Sequence, residues 1–334
     1  MRPGRHAGPA GCPQVPSVAA GCPLALSLHH ALADGWSVRV LTSDLRALYE
    51  DADAARPADV ALQFADYAAW EQQVAAAAPL HEWAARLGRH PARIRIPGAA
   101  GPGPEQLTVT RELPDGEPGL SAAVHDLARR LRVPVVAVFA AATAASLHEH
   151  AEAGLTIGVV RANRERAELQ EIVGYLADIA PVPVDLHGDP EFGDLVSRAA
   201  RSLAYSQDHP APLAALAHLV RGGRGPVFDV CLNYLPGGPA VGAPIGGLEF
   251  LGVDLPETEA VGQPWWDGTA LIDYVVRSSE PERLSGCVRG DVNTIPPGLL
   301  ADLAERFHAT LLHGTARPDL PISRLATAVL GAAR

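Results

Sequence analysis

The chain contains no lysine; every one of its 27 Lys and Arg positions is arginine. Alanine, 32 glycines and 30 prolines are abundant beside them, a composition that reads as GC-rich coding bias before any function. Cysteine is scarce. Cys12, Cys22, Cys231 and Cys287 are scattered, with no Cys-x-x-Cys pair and no histidine at metal-ligand spacing, which argues against a structural zinc site. Four cysteines in 334 residues also make no disulfide framework. Positive charge is in deficit, and a net charge of −11 argues against nucleic acid and anionic membrane as partners. The N-terminus lacks the apolar run of a secretory signal, because Pro13 and Pro16 interrupt it. Ala19-Ala20-Gly21-Cys22 has no hydrophobic stretch before it either, so it is not read as a lipoprotein cleavage site. A cytoplasmic protein is expected. Hydrophobic residues at 48% against 19% charged describe a folded chain that fills one large or two medium domains.

What is present is concentrated first between Pro23 and Tyr49. Leu24, Leu26 and Leu28 alternate with small residues, which predicts a half-buried strand. His29 and His30 follow where that strand would end. Asp34-Gly35 is a turn pair, with Gly35 expected to supply backbone freedom closed to other residues. Val38, Leu41, Leu45 and Leu48 then recur at helical spacing. Asp34 has the chemistry to cap the helix that begins near Trp36. A strand, a turn and a helix thus present two imidazoles, the side chains best suited to move a proton near neutral pH.

The spacing His29-His30-x-x-x-Asp34-Gly35 resembles the active-site motif of the condensation domains of nonribosomal peptide synthetases. These belong to an acyltransferase superfamily that includes chloramphenicol acetyltransferase. Further segments resemble the same family in the same order. Leu62-Gln63-Phe64-Ala65-Asp66-Tyr67-Ala68-Ala69-Trp70 is similar to its Tyr-x-Asp-Tyr-Ala-x-Trp segment, on a helix whose aromatics are read as core. The strand expected at Leu155 to Val160 runs into Arg161-Ala162-Asn163-Arg164, similar to a second-lobe segment closed by Asn-Arg. Gly174-Tyr175-Leu176-Ala177-Asp178 stands where the family usually has Gly-Phe-x-Asn-Thr, with Ala177-Asp178 in place of the Asn-Thr pair and Pro183 replacing an Arg. An added carboxylate and a lost cation there would alter the electrostatics of a substrate channel. Gln207-Asp208-His209-Pro210 resembles His-Gln-Asp-x-Pro, with Ser206 in place of the leading His. The loop Arg221 to Pro226 before Val227-Phe228-Asp229-Val230 resembles the family's Arg- and Pro-bearing loop, and reads as a solvated turn because no phosphate-loop pattern is present.

Elsewhere the pattern predicts a strand at Leu107 to Leu113 and a helix through Val124, Leu127 and Leu131. A buried helix from Pro134 to Leu147 and a helix through Leu195, Ala199 and Leu203 are also expected. A short strand is expected near Leu248 to Leu251, paired strands at Thr269 to Arg277 and Arg283 to Gly290, and a helix through Leu300, Leu303, Phe307 and Leu311. Pro91 to Pro104 is the candidate linker. The expected division is residues 1–21 poorly ordered, 22–97 a partial first lobe with the histidine motif, and 98–334 a second lobe. The expected fold class is therefore α/β, a chloramphenicol acetyltransferase-like two-lobed sheet-and-helix fold with an incomplete first lobe.

The resemblance implies amide formation between acyl groups held as thioesters on the phosphopantetheine arms of carrier proteins, with other synthetase modules as further partners. It implies no bound cofactor and no metal. His30 would be the acid–base residue, His29 an orienting one, and Gly35 part of the surroundings of the oxyanion. Asp34 is implied to be structural, paired with an arginine from a first-lobe layer that has no counterpart before Pro23. Three alternatives stay open: an ester-forming relative, an acyl-CoA-dependent acyltransferase, and a non-catalytic carrier-docking remnant.

Overall fold

The computed structural model describes residues 26, 28–50, 62–76, 78–96, 108–113, 119–151, 153–221, 228–236, 270–280, 283–291 and 294–325. The expectations for residues 1–21, for the Arg221–Pro226 loop beyond Arg221, and for the strand near Leu248 lie outside these residues.

Helices α1 (Gly35–Glu50), α2 (Phe64–Ala76) and α3 (Leu80–Arg89) come first. Then follow β1 (Thr108–Glu112), α4 (Leu120–Leu131), α5 (Val135–Ser146), β2 (Gly154–Arg161), β3 (Asp178–Asp185) and α6 (Phe192–Asp208). The chain continues through α7 (Leu213–Arg221), β4 (Val230–Pro236), β5 (Ile272–Glu280), β6 (Arg283–Asp291) and α8 (Pro297–Ala316). The strands form one mixed sheet in the order β1-β6-β5-β4-β2-β3. β4 runs parallel to both β2 and β5, and the other pairs are antiparallel.

Strand periodicity sorts the side chains onto two faces. Ile157, Val159, Val182 and Val184 face the main core, where α4, α5, α6 and α8 supply Val124, Phe139, Phe192 and Phe307. Ile179 and Cys231 face the other side, where α3 and α7 bring Trp83, Leu87 and Leu216. Gly158 lies on this second face because nothing larger fits. A Cβ there would come within 2.5 Å of Phe228 and 2.8 Å of the Cys231 sulfur. The segment read as a linker is described only to Ile96, and that part is stitched to the sheet. The amides of Thr156, Asp229 and Arg95 donate to the carbonyls of Pro91, Ala92 and His150, and Ile94 donates to the Asp229 carboxylate at 2.8 Å.

Among the described residues β3 is an edge strand, and it carries Pro181 and Pro183. Proline has no N–H to offer a new strand, and edges are where sheets tolerate it. On the same edge the hydroxyls of Ser206 and Ser202 on α6 donate to the carbonyls of Pro181 and Pro183. Pro183 and Ser206, two departures from the family pattern, thus cooperate in closing this edge.

Candidate active site

The motif begins in a turn, not at the end of a strand. Leu26, Leu28 and His29 pair with no strand among the described residues, and both leucines are exposed; Leu24 lies outside the described residues. This corrects the expected strand. Alternation makes a strand only where another strand completes the ladder, and no strand of the described sheet runs beside these residues. Leu32 and Ala33 instead donate to the carbonyls of His29 and His30 at 2.9 and 3.3 Å, and His29 Nδ1 accepts the Ala31 N–H at 3.1 Å. Both imidazoles are exposed.

Asp34 closes the turn and caps α1. Its Oδ1 accepts the Ser37 N–H at 2.8 Å, three residues into the helix, as an N-cap should. The same carboxylate is buried against Arg164, whose Nη2 lies 3.0 and 3.2 Å from the two oxygens. Oδ2 also accepts the N–H groups of Leu176 and Ala177 at 3.0 and 3.1 Å. The Ser37 hydroxyl lies 2.7 Å from Oδ1 and 2.8 Å from the Gly174 carbonyl, and it accepts the Gly174 N–H at 3.0 Å. Arg164 Nη1 donates to the carbonyls of Leu169 and Ile172 at 2.8 and 2.6 Å. Burial alone would raise the Asp34 pKa, but the Ser37 hydrogen bonds and the Arg164 charge outweigh it and hold the carboxyl below its ordinary value.

The arginine that pairs with Asp34 is therefore Arg164, at the Asn-Arg that ends the β2 segment, which corrects the expectation of one from a first-lobe layer. Asn163 takes a left-handed backbone conformation, φ 56°, which a short polar side chain tolerates, and the chain turns there to bury Arg164. The sequence displayed the Asn-Arg pair but carried no signal for its partner 130 positions away.

Around this ion pair the segment 163–177 cradles the first two helices. Trp36 Nε1 donates to the Gln170 carbonyl at 2.9 Å. Tyr67 packs with Leu169, Ile172 and Leu176, accepts a hydrogen bond from Asn163 Nδ2 at 2.7 Å and donates to Glu71 at 2.8 Å. Burial and the Glu71 carboxylate raise the pKa of its phenol. Phe64 lies over Gly174, where a Cβ would come 2.4 Å from the ring. Of the aromatics read as core on α2, only Tyr67 is buried; Phe64 and Trp70 are partly open, with Trp70 under the Arg166 guanidinium at 5.5 Å.

Two further sequence expectations change. Gly35 opens α1 without a positive φ, and a Cβ would meet nothing within 4 Å, so this position needs no glycine-only geometry. The additional carboxylate of Asp178 does not stand alone. It faces Arg161 directly across the β2–β3 ladder and pairs with it at 2.9 Å.

Among the described residues, His30 has one ring neighbour across the cradle, Tyr175, at 5.0 Å between centroids and 70° between planes. In the sequence Tyr175 stands out only as part of the Gly174-Tyr175-Leu176-Ala177-Asp178 segment. A shallow depression of about 480 Å³ lies elsewhere, lined by Ala123, Asp126, Arg129, Arg130 and Thr315, with no motif residue on it. Among the described residues no three His, Cys, Asp or Glu side chains group as metal ligands, and no helix is long and apolar enough to cross a membrane.

The family model described as Condensation domain matches residues 18–237. This chain belongs to the condensation-domain family. Over 324 residues it is 28% identical to the isonitrile lipopeptide synthase of Mycobacterium tuberculosis, a match that takes in 89% of this chain and 12% of that protein. It is also 28% identical to a dimodular nonribosomal peptide synthase of Bacillus subtilis, over 90% of this chain and 13% of the relative. The condensation-family chain thus spans about an eighth of the length of these curated relatives. Among solved structures, the X-domain from teicoplanin biosynthesis superposes with a TM-score of 0.68 at 22% identity, covering 89% of this chain and 70% of that one. The first condensation domain of the calcium-dependent antibiotic synthetase gives 0.64 at 17% identity, covering 88% and 64%. The expected chloramphenicol acetyltransferase-like fold class holds.

Proposed function

We propose that this chain works as the condensation unit of a nonribosomal peptide synthetase, joining two carrier-bound acyl groups through an amide bond. The observation that carries this reading is the complete His-His-x-x-x-Asp-Gly motif of a condensation-family chain, locked from below by Asp34 and Arg164 and leaving His30 open above. The acceptor amine attacks the carbonyl carbon of the donor thioester. As the C–N bond forms, His30 takes the proton that the nitrogen loses. The C–S bond then breaks, and the proton passes to the departing thiolate of the donor's phosphopantetheine arm. Backbone N–H groups around Gly35, at the positive end of α1, face the developing oxyanion. His29 holds the turn through its hydrogen bond with Ala31. Carrier proteins and neighbouring modules are the partners, and the compartment is the cytoplasm. Residues 22–97 act as the motif-bearing part of a first lobe against a second lobe at 98–334.

The test is single-turnover product formation with loaded carrier proteins. His30→Ala is expected to lower the amide-forming rate by about 10²–10⁴-fold, the usual contribution of a positioned acid–base group. An unchanged rate would reduce His30 to a structural role. A hydroxyl acceptor used in preference to an amine would identify an ester-forming relative. Turnover with free acyl-CoA would point to the CoA-dependent branch.

A second reading, a docking domain without chemistry, is favoured by the exposure of both histidines and by the complex solved between an X-domain and OxyB from teicoplanin biosynthesis. No product with any loaded carrier, together with retained carrier binding, would support it.

A further inference from the structure

We infer that Tyr175 is a positioning residue for His30, through the edge of one ring against the face of the other. Ile172, Gly174 and Leu176 are buried while Val173 and Tyr175 between them are exposed, so the segment presents alternate side chains outward. Its inward side is fixed at consecutive points. Ile172 and Gly174 offer their carbonyls to Arg164, the Gly174 N–H donates to the Ser37 hydroxyl, and the amides of Leu176 and Ala177 hold Asp34. Asp34 itself ends the turn that carries His30. One buried carboxylate thus sets the distance between the His30 turn and the Tyr175 backbone from both sides.

The rings that project from these two anchored pieces meet at 5.0 Å and 70°, within the edge-to-face geometry that aromatic quadrupoles favour. An exposed imidazole with free rotation about its side-chain torsions would lose orientation between turnovers. Tyr175 restricts it from a segment 145 positions away, while leaving the remaining ring surface open. The contact uses the ring of the tyrosine, so phenylalanine should serve as well. This inference rests on the reading of His30 as the acid–base group, and its test has one arm that needs no activity.

That arm is NMR of the labelled His30 ring in the wild type, Tyr175→Phe and Tyr175→Ala. His30→Ala assigns the signals, and thermal melting confirms that each variant keeps its fold. The ring-current displacement of the His30 protons is expected to persist in Tyr175→Phe and vanish in Tyr175→Ala. In single-turnover reactions, Tyr175→Ala is expected to lower the rate about 10-fold, with half-saturation by the loaded carriers unchanged and Tyr175→Phe restoring the rate. His30 signals that do not move in Tyr175→Ala would overturn the contact. If they move while an active enzyme keeps its rate, or if Tyr175→Phe is as slow as Tyr175→Ala, the positioning role is overturned. An inactive wild type with the expected ring-current changes would support the contact while contradicting the catalytic reading.

Discussion

Helix α5 is buried without a break from Ala137 to Ser146, whereas α1, 16 residues long, buries Ser37 alone. The two helices show two ways of holding an element. α5 is a poor amphipath, apolar all round, because it runs between α4, α6, α8 and the sheet. α1 has a regular apolar stripe, yet Val38, Leu45, Leu48 and Tyr49 are 37–57% exposed. What holds α1 is its first turn, through Asp34, Ser37, Trp36 and Arg164. The sheet half is secured by area, and the motif half by a polar anchor. An anchor of this kind fixes geometry well but leaves the element open to local release, since local stability follows burial and contact density.

The largest effect is expected where area is removed. Phe307 is fully buried and packs on Tyr274 at 5.3 Å, so Phe307→Ala should cost about 3–5 kcal/mol of unfolding free energy. Denaturant melting should show one cooperative loss that takes the sheet and α1 together. Arg164→Met should cost about 3 kcal/mol, because it strands a buried carboxylate, but the loss should be local. Circular dichroism of the main transition should move little while α1 becomes accessible to protease. If both variants lowered the same transition equally, the contrast between the two halves would disappear.

Acid should separate the halves as well. The Asp34 carboxyl is held below its ordinary value, so the stability it lends is complete above about pH 3.9, the unfolded value, and is lost as pH falls through the lowered folded value. Amides of α1 should therefore open before those of β2 on acid titration, and Arg164→Met should abolish that early step. The smallest effect is expected on the open stripe. Leu45→Ser should change stability by no more than about 0.5 kcal/mol, since the side chain already meets solvent. A larger loss, measured by the same melts, would mean that the stripe is covered in solution.

The contrast also explains what was legible in the sequence. In the sheet half, periodicity and burial agree. The helices through Val124, Leu195 and Leu300, the apolar run after Pro134 and the paired strands around Tyr274 and Val288 all form where the pattern places them. In the motif half, pattern and environment part company. Leu26 and Leu28 alternate like a strand but have no pairing partner among the described residues, and Phe64 and Trp70 repeat like core aromatics but remain partly open. Asp34 was legible as a cap because capping is local. Its pairing with Arg164 and the contact between His30 and Tyr175 were not, because they join residues 130 and 145 positions apart and no composition or spacing encodes a contact at that range. The histidine motif itself was readable from spacing alone. What made it a site, the anchor beneath it and the ring beside it, required the fold.

The most direct test is native-state hydrogen exchange of the wild type and Arg164→Met, followed residue by residue from Ser37 to Tyr49, through α5, and along Ile157 to Val160. In the wild type, α1 amides are expected to exchange through a local opening well below the global unfolding free energy, with α5 and β2 protected up to it. In Arg164→Met, protection of α1 should fall by about 10²-fold, the equivalent of roughly 3 kcal/mol, while α5 and β2 keep theirs. Equal protection of α1 and α5 in the wild type, or a loss shared by α5 and β2 in the variant, would contradict the view that the motif helix is held by its polar anchor rather than by the core.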